Sequence, residues 1–343
     1  MKMYKFLTLL LFAGLMTTAC SSDDDTGNDD GPTADSRREL YASNNSNGNV
    51  TKYDVSEPST ATSKTFLTLS LDSEGIHYDG STDAVTQASR SFLQLNSYAN
   101  ISVAEDGITI NANISSSADL ESPRDVAVNG NFYVVSDNAD VDGDPNTADG
   151  RFFVYVKDSN GFTLRNTVTV DFAVWGIEFV GNDLFAVVDK TSDIAVFTNF
   201  TATNTTDATV AANKRITIEG ITRTHGLAFD GSTMILTDIG DAALDADGGF
   251  HVISDFQTKF NAVANGETMA VAGNQVRVAG SSTFLGNPVA AEFDQETNTV
   301  FIAERANSGG RVLAFQNINA GGNIAPTMNV LLSGASSLSF YKE

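Results

Sequence analysis

Residues 138–149 read NADVDGDPNTAD, with oxygen donors at the first, third, fifth, ninth and twelfth positions: Asn138, Asp140, Asp142, Asn146 and Asp149. Gly143 takes the sixth place, where a sharp turn is needed, and Asp144 the seventh, where a backbone carbonyl ligates. Carboxylates gathered this closely repel one another unless a cation neutralises them, so the pattern is expected to hold calcium. A solvated acidic turn is the competing reading. A second acidic run, with Asp241, Asp245, Asp247 and Gly248, has Ala243 in the position of the first ligand and adds mainly negative charge.

Other residues able to do chemistry are few. The chain has one tryptophan, Trp175, three histidines and a single cysteine, Cys20. No G-x-S-x-G elbow and no H-E-x-x-H pair occurs. Polar residues stand instead at the edges of apolar, strand-like segments. Glu74, Arg124, Trp175, His225, Asn287 and Ser336 stand at the starts of one set. Asp137, Asp189, Asp238 and Glu304 close another set, and Asn138, Lys190 and Arg305 follow three of them.

Those segments repeat. EGIHYDG, RDVAVNG, WGIEFVG, HGLAFDG, VAAEFDQ and SSLSFYK begin at Glu74, Arg124, Trp175, His225, Val289 and Ser336, at intervals of 47 to 64 residues. Most are followed by a second strand ending in an acid (NFYVVSD, LFAVVD, TMILTD, TVFIAE) and then by a third (FFVYV, DIAVF, GFHVI, RVLAF). A fourth, such as TVTVDF, KRITIEGI, QVRVAG or MNVLLS, leads into the next unit. The chain ends after one inner strand, and the missing partners stand at the other end as ELYASNN, GNVTKYDV and TFLTLSL. The expected fold is all-β: a six-bladed β-propeller over residues 38–343, four antiparallel strands per blade, the last blade closed by both termini. A two-sheet sandwich would supply as many strands but neither the period nor the split final unit.

In such a ring, the start of each innermost strand and the loop after each second strand open on one face, around the channel. The expected ligand face therefore carries Glu74, Arg124, Trp175, Asp189, His225, Asp238, Glu304 and Arg305, a mixed acidic, basic and aromatic set. A polar rim without special purpose is the alternative, since fold alone does not choose a function. Trp175 suits core packing as well as stacking on a sugar or peptide. His225 is better placed to act as base or ligand than His77, inside an inner strand, or His251, in an outer one.

The first nineteen residues form an address. MKMYK is a positive n-region, FLTLLLFAGLM a short apolar run, and Thr-Thr-Ala-Cys a small-residue end. Residues 20–37 follow as a polar, acidic tether with too little apolar surface to offset its ordering entropy. Removing residues 1–19, which carry Lys2 and Lys5 and no acid, takes the formal charge from −23 to −25. Such a chain repels phosphate backbones and anionic lipid head groups, so no nucleic-acid partner is expected. With one cysteine no internal disulfide can form, and packing alone must stabilise the fold. A monomer is expected.

Several of these patterns resemble known families. The end of the signal resembles the lipobox of bacterial lipoproteins, with Thr where Leu is commoner, which implies lipidation of Cys20 as the only membrane attachment. Ser-Ser-Asp-Asp-Asp after it resembles the acidic export signal of surface-displayed lipoproteins, which implies an outer-membrane protein facing outward; a plain spacer facing the periplasm is the alternative. VFIAERANSGGRVLAF, and more loosely LFAVVDKTSDIAVF, resemble NHL repeats, with Asn307 and Arg311 in matching places. The acidic loop resembles an EF-hand loop, and its terminal Asp149 a dockerin loop. Ser73-Glu74-Gly75 is similar to the glutamate motif of gluconolactonase-like propellers, which hold a divalent ion with an added Asn and Asp; here Trp175-Gly176 and His225-Gly226 stand in those two places. The expected function is thus a binding module for a glycan, peptide or protein partner, with a metal-dependent lactonase as the alternative.

Overall fold

A computed structural model of the chain describes residues 37–343. The signal segment, Cys20 and nearly all of the tether lie outside the described residues. Six sheets follow one another around a ring, each with its first strand innermost. The inner strands are Ser73–Asp79, Pro123–Asn129, Val174–Val180, Leu227–Asp230, Pro288–Asp294 and Ala335–Lys342, for blades one to six. Second, third and fourth strands lie outward of these in antiparallel register. The fold is a six-bladed β-propeller.

The final blade is the expected clasp. Ala335–Lys342 pairs antiparallel with Arg38–Asn44, which pairs with Val50–Asp54 and then Thr62–Phe66. Arg38 lies opposite Lys342 and Asn44 opposite Ala335, so the chain enters the ring at Arg37 on the face where inner strands end. The candidate ligand face, where inner strands begin, is on the other side.

Alternation along the strands gives each blade two apolar faces, and six buried clusters fill the six gaps between neighbouring blades. Between blades two and three, Phe152 packs edge-on against Phe197 and Phe200. Each such buried ring contributes roughly 2–3 kcal/mol through the area removed from water. At the neck of the ring there is no space for a side chain. A Cβ on Gly75 would sit 2.5 Å from the backbone of Asp125, on Gly176 2.4 Å from the His225 carbonyl, and on Gly226 2.7 Å from Ala290 Cα. The Glu-Gly, Trp-Gly and His-Gly dipeptides have this cause: the glycine lets the next inner strand approach.

Details differ from the expectation. Short helices at Phe200–Thr203 and Phe256–Ala262 insert Phe200, Phe256 and Phe260 under the blades. Ala208–Thr209 and Thr268–Met269 each add a parallel fifth strand, to blades two and three. The segment TFLTLSL is strand only to Phe66, and Leu69 and Leu71 beyond it are exposed. Among the described residues, no helix is long and apolar enough to cross a membrane.

Candidate functional site

The mouth of the channel is built on Glu74, at the start of the blade-one inner strand. Its side chain is 1% exposed, and three guanidinium groups converge on one oxygen, Oε1. Arg90 donates to it at 3.2 Å, while Arg124 and Arg305 stand 3.6 Å away. Burial pushes the Glu74 carboxyl up to about 7, although Arg124, Arg305 and Arg90 all pull it down. Arg124 is itself fixed: Nε donates to the Asn138 side chain at 2.8 Å, and the guanidinium lies 4.3 Å over the Trp175 ring. Trp175 in turn stacks on His225, with centroids 3.8 Å apart and planes 7° from parallel. Both indole faces are therefore covered, one by a cation and one by imidazole. Trp175 positions Arg124 and has no free face for a sugar or peptide ring.

His225 completes the stack at its other end. Its Nε2 lies 3.2 Å from Asp189 Oδ1 without meeting hydrogen-bond geometry, and its Nδ1 has no partner. Arg223 holds the same Asp189 oxygen with two donors, at 2.9 and 2.7 Å. Burial raises Asp189, but His225 and Arg223 outweigh it and hold the carboxyl down at about 2. Burial takes the His225 imidazole down to about 4, and Arg223 and Arg124 add to this against Asp189. His225 is thus neutral at pH 7. Asn287 Oδ1 and Asn45 Oδ1 are also buried at this rim without partners.

The acids that close the second strands have divided roles. Asp137 accepts from the backbone N–H groups of Glu121 and Ser122, both at 2.8 Å. Asp238 accepts from Thr222 N–H at 2.8 Å and from Arg277. Glu304 accepts from four backbone N–H groups, those of Gly286, Asn287, Ala306 and Asn307. Each ties the loop that feeds its own inner strand. Asp238 and Glu304 are therefore fully engaged in the scaffold, and only Asp189 turns toward the mouth. In blade five, Arg311 donates to the Asn307 side chain at 2.8 Å and joins the second and third strands.

Arg90 and Arg223 were not among the residues expected at the mouth. Arg90 follows the last residue of its second strand, as Asn138 and Arg305 do in their blades. Because that strand ends in Ser89 instead of an acid, the equivalence was not apparent.

The acidic loop stands beside the mouth. Single ligand oxygens of Asp140, Asp142 and Asp149 lie within 4.8 Å of one another. Gly143 has φ +80°, the turn conformation its place in the loop requires. Asp149 accepts from Val141 N–H and Asp142 N–H, and Asp144 from the Asn146 backbone and side chain. Asn138 is turned away: its Oδ1 already accepts from Ser122 and Arg124. The carboxylate trio fits a hard cation in donor type, with Asn138 outside it. Between this loop and Ala173, Asp189, Lys190 and Thr191 runs a cleft of about 440 Å³. In the second acidic run, Asp247 accepts from Asp241 N–H.

Deeper in the channel is a cavity of about 200 Å³ lined by residues of all six inner strands. It holds His77 and three acids, Asp125, Glu178 and Glu292. All four are half-buried, and Asp125 accepts from the backbone N–H groups of Val126 and Ile177. Burial pushes Asp125 up to about 6. Burial and the Asp125 charge push Glu178 up to about 8, and Glu292, facing both, is raised well above the usual range. His77 is taken down to about 4 by burial. His251 lies apart, with Nδ1 2.6 Å from Gln275.

No protein-family model matches the chain, and no curated protein matches it. Among solved structures, a chain of a nidogen/laminin complex aligns with TM-score 0.57 and 13% identity, covering 88% of this chain and 97% of that one. A putative 6-phosphogluconolactonase from Bacteroides fragilis NCTC 9343 aligns with TM-score 0.56 and 11% identity, covering 91% of this chain and all of that one. At these identities the likeness establishes the fold, a six-bladed β-propeller with propeller neighbours, and nothing about chemistry.

Proposed function

We propose that the protein is an envelope lipoprotein, anchored through Cys20 and displayed at the cell surface, whose propeller binds a glycan, peptide or protein partner at the mouth of the channel. The observation that carries this reading is the mouth itself. Four arginines, Arg90, Arg124, Arg223 and Arg305, gather around two buried acids in a chain of net charge −23. Among the described residues, half of the buried side-chain atoms that lack a hydrogen-bond partner belong to His225, Asn287 and Asn45 at the same rim. Each such atom costs roughly 1–3 kcal/mol, a cost that a ligand with matching donors and acceptors removes. Calcium bound by Asp140, Asp142 and Asp149 orders the loop that walls the cleft beside Asp189. The resemblance of blade five to an NHL repeat accords with a binding scaffold.

The lactonase alternative needs a divalent ion beside Glu74. Three guanidinium groups within 3.6 Å of that carboxylate occupy the position and repel a cation. That donor set does not fit a metal hydrolase. The test is to probe glycan and peptide arrays with labelled full-length protein and to repeat the retained hits with Arg124→Ala. Loss of the hits on substitution supports the reading. No retained ligand, or hits indifferent to Arg124, sinks it.

A further inference from the structure

We infer that the mouth recognises the oxyanion of a polyhydroxylated ligand, a sugar acid or a sugar carrying sulfate or phosphate. This rests on the binding reading above and names the ligand class.

The first observation is a local reversal of charge. Glu74 and Asp72 supply two negative charges and Arg90, Arg124 and Arg305 three positive ones, so the cluster carries a surplus of about one when all five are ionised, and Asp189 nearby is balanced by Arg223. At physiological salt the field of distant acids is screened beyond about 8 Å, so these arginines set the potential at the mouth although the chain as a whole is acidic.

The second observation is unused donor capacity. A guanidinium has five N–H donors in a planar fork. All three forks here spend what they spend on the single oxygen Oε1, apart from the Arg124 bond to Asn138 and a long Arg90 approach to Asp72. Arg305, 36% exposed, makes no side-chain hydrogen bond among the described residues and only the 3.6 Å ion pair. A cluster arranged only for stability would pair its charges one to one. Here Glu74 orders three forks without saturating any of them, and their remaining donors suit a planar carboxylate or a tetrahedral oxyanion.

The third observation supplies the hydroxyls. Asn287, whose carbonyl accepts from Arg305 N–H at 3.0 Å, leaves its side-chain oxygen buried and unpaired. Asn45, whose side-chain nitrogen donates to Asp72 at 2.7 Å and to the Ser73 carbonyl at 3.0 Å, also leaves its oxygen unpaired, and His225 Nδ1 completes the set. The two amide oxygens are acceptors that an anion alone cannot satisfy. Hydroxyl groups next to the anion can. Trp175, with both faces covered, contributes by holding Arg124 in place.

Trp175 is the only tryptophan, and a cation lies on its ring, so its fluorescence reports any ligand that draws Arg124 away. The experiment titrates full-length protein with glucuronate, inorganic sulfate and glucose, followed by Trp175 fluorescence and calorimetry. Wild type and Arg305→Gln are compared, with Arg90→Gln as a second variant. The expected result is saturable binding of glucuronate, weaker binding of sulfate and none of glucose. Loss of one charge-assisted fork is expected to weaken glucuronate by about ten-fold. Glucuronate binding no tighter than glucose, or unchanged in Arg305→Gln and Arg90→Gln, overturns the inference. If array hits are retained through Arg124 but are neutral and indifferent to Arg305, this inference fails and the binding reading survives. If nothing is retained at the mouth, the binding reading itself has failed.

Discussion

Replacing Glu178 by Gln removes an ionisable group from the wall of the channel without changing its shape. In the folded ring this carboxyl is pushed up to about 8 from an ordinary 4.5, by burial first and then by Asp125. A raised folded pKa means that the native state binds the proton more tightly than the unfolded chain does. The associated stability is fully present below about 4.5 and is lost as pH rises through about 8. At about 1.4 kcal/mol per pH unit the gap gives a ceiling of about 5 kcal/mol, and because Glu178 is partly exposed and lines the cavity, solvent screening is expected to reduce this to about 2 kcal/mol. The histidines His77 and His225, both lowered to about 4, give the opposite slope, but only below about pH 6.5. The measurement is therefore thermal unfolding of wild type and Glu178→Gln from pH 6.5 to 9. Wild type should lose several degrees across this window while the variant stays flatter and melts higher at pH 9. Parallel curves, or a variant that melts lower at pH 9, would refute the account of the channel acids.

Four further outcomes are expected. Gly226→Ala puts a Cβ 2.7 Å from Ala290 Cα, and chemical denaturation should show a loss of about 2 kcal/mol or more, since backbone must move to accept it. Asp189→Asn leaves Arg223 and His225 without their shared carboxylate and should cost about 2 kcal/mol at pH 7 by the same assay. Because Asp189 is held down at about 2, its stabilisation is present above about 3.8 and lost as pH falls through about 2, so the variant and wild type should converge in strong acid. Calorimetry should detect calcium binding to the full-length protein, weakened roughly ten-fold by Asp140→Asn, and an absence of heat in wild type would remove calcium from the proposal. Cys20→Ser should move the protein from the membrane fraction of expressing cells to the soluble one, and unchanged fractionation would count against the lipid anchor.

The fold was legible because a propeller repeats its hydrophobic pattern. Six inner strands share the same alternation, and an unpartnered last one implies a split blade. The parts that escaped are those whose cause is tertiary. Phe200, Phe256 and Phe260 belong to helices because the undersides of the blades need filling, and nothing in FTAT or FQTKFNA alone demands it. Much of the mouth was legible too, from position: Glu74, Arg124, Trp175, His225, Asp189 and Arg305 do meet there. Their arrangement was not, because a list of residues on one face does not reveal that three cations share one oxygen, or that a histidine and an arginine cover both sides of an indole. Asp238 and Glu304 sit at the expected ends of strands, yet backbone N–H groups occupy them. Such bonds depend on loop conformation, which composition does not specify.

The clasp has a mechanical consequence. A pull on Arg37 runs along Arg38–Asn44, a strand with seven paired positions on the Ala335–Lys342 side and four on the Val50–Asp54 side. Load applied along its axis, against a partner held at the opposite face, stretches these pairings together in shear instead of peeling them one at a time. The blade that joins the ends of the chain is thus also the one that carries tension through the ring, and both of its neighbours share the force.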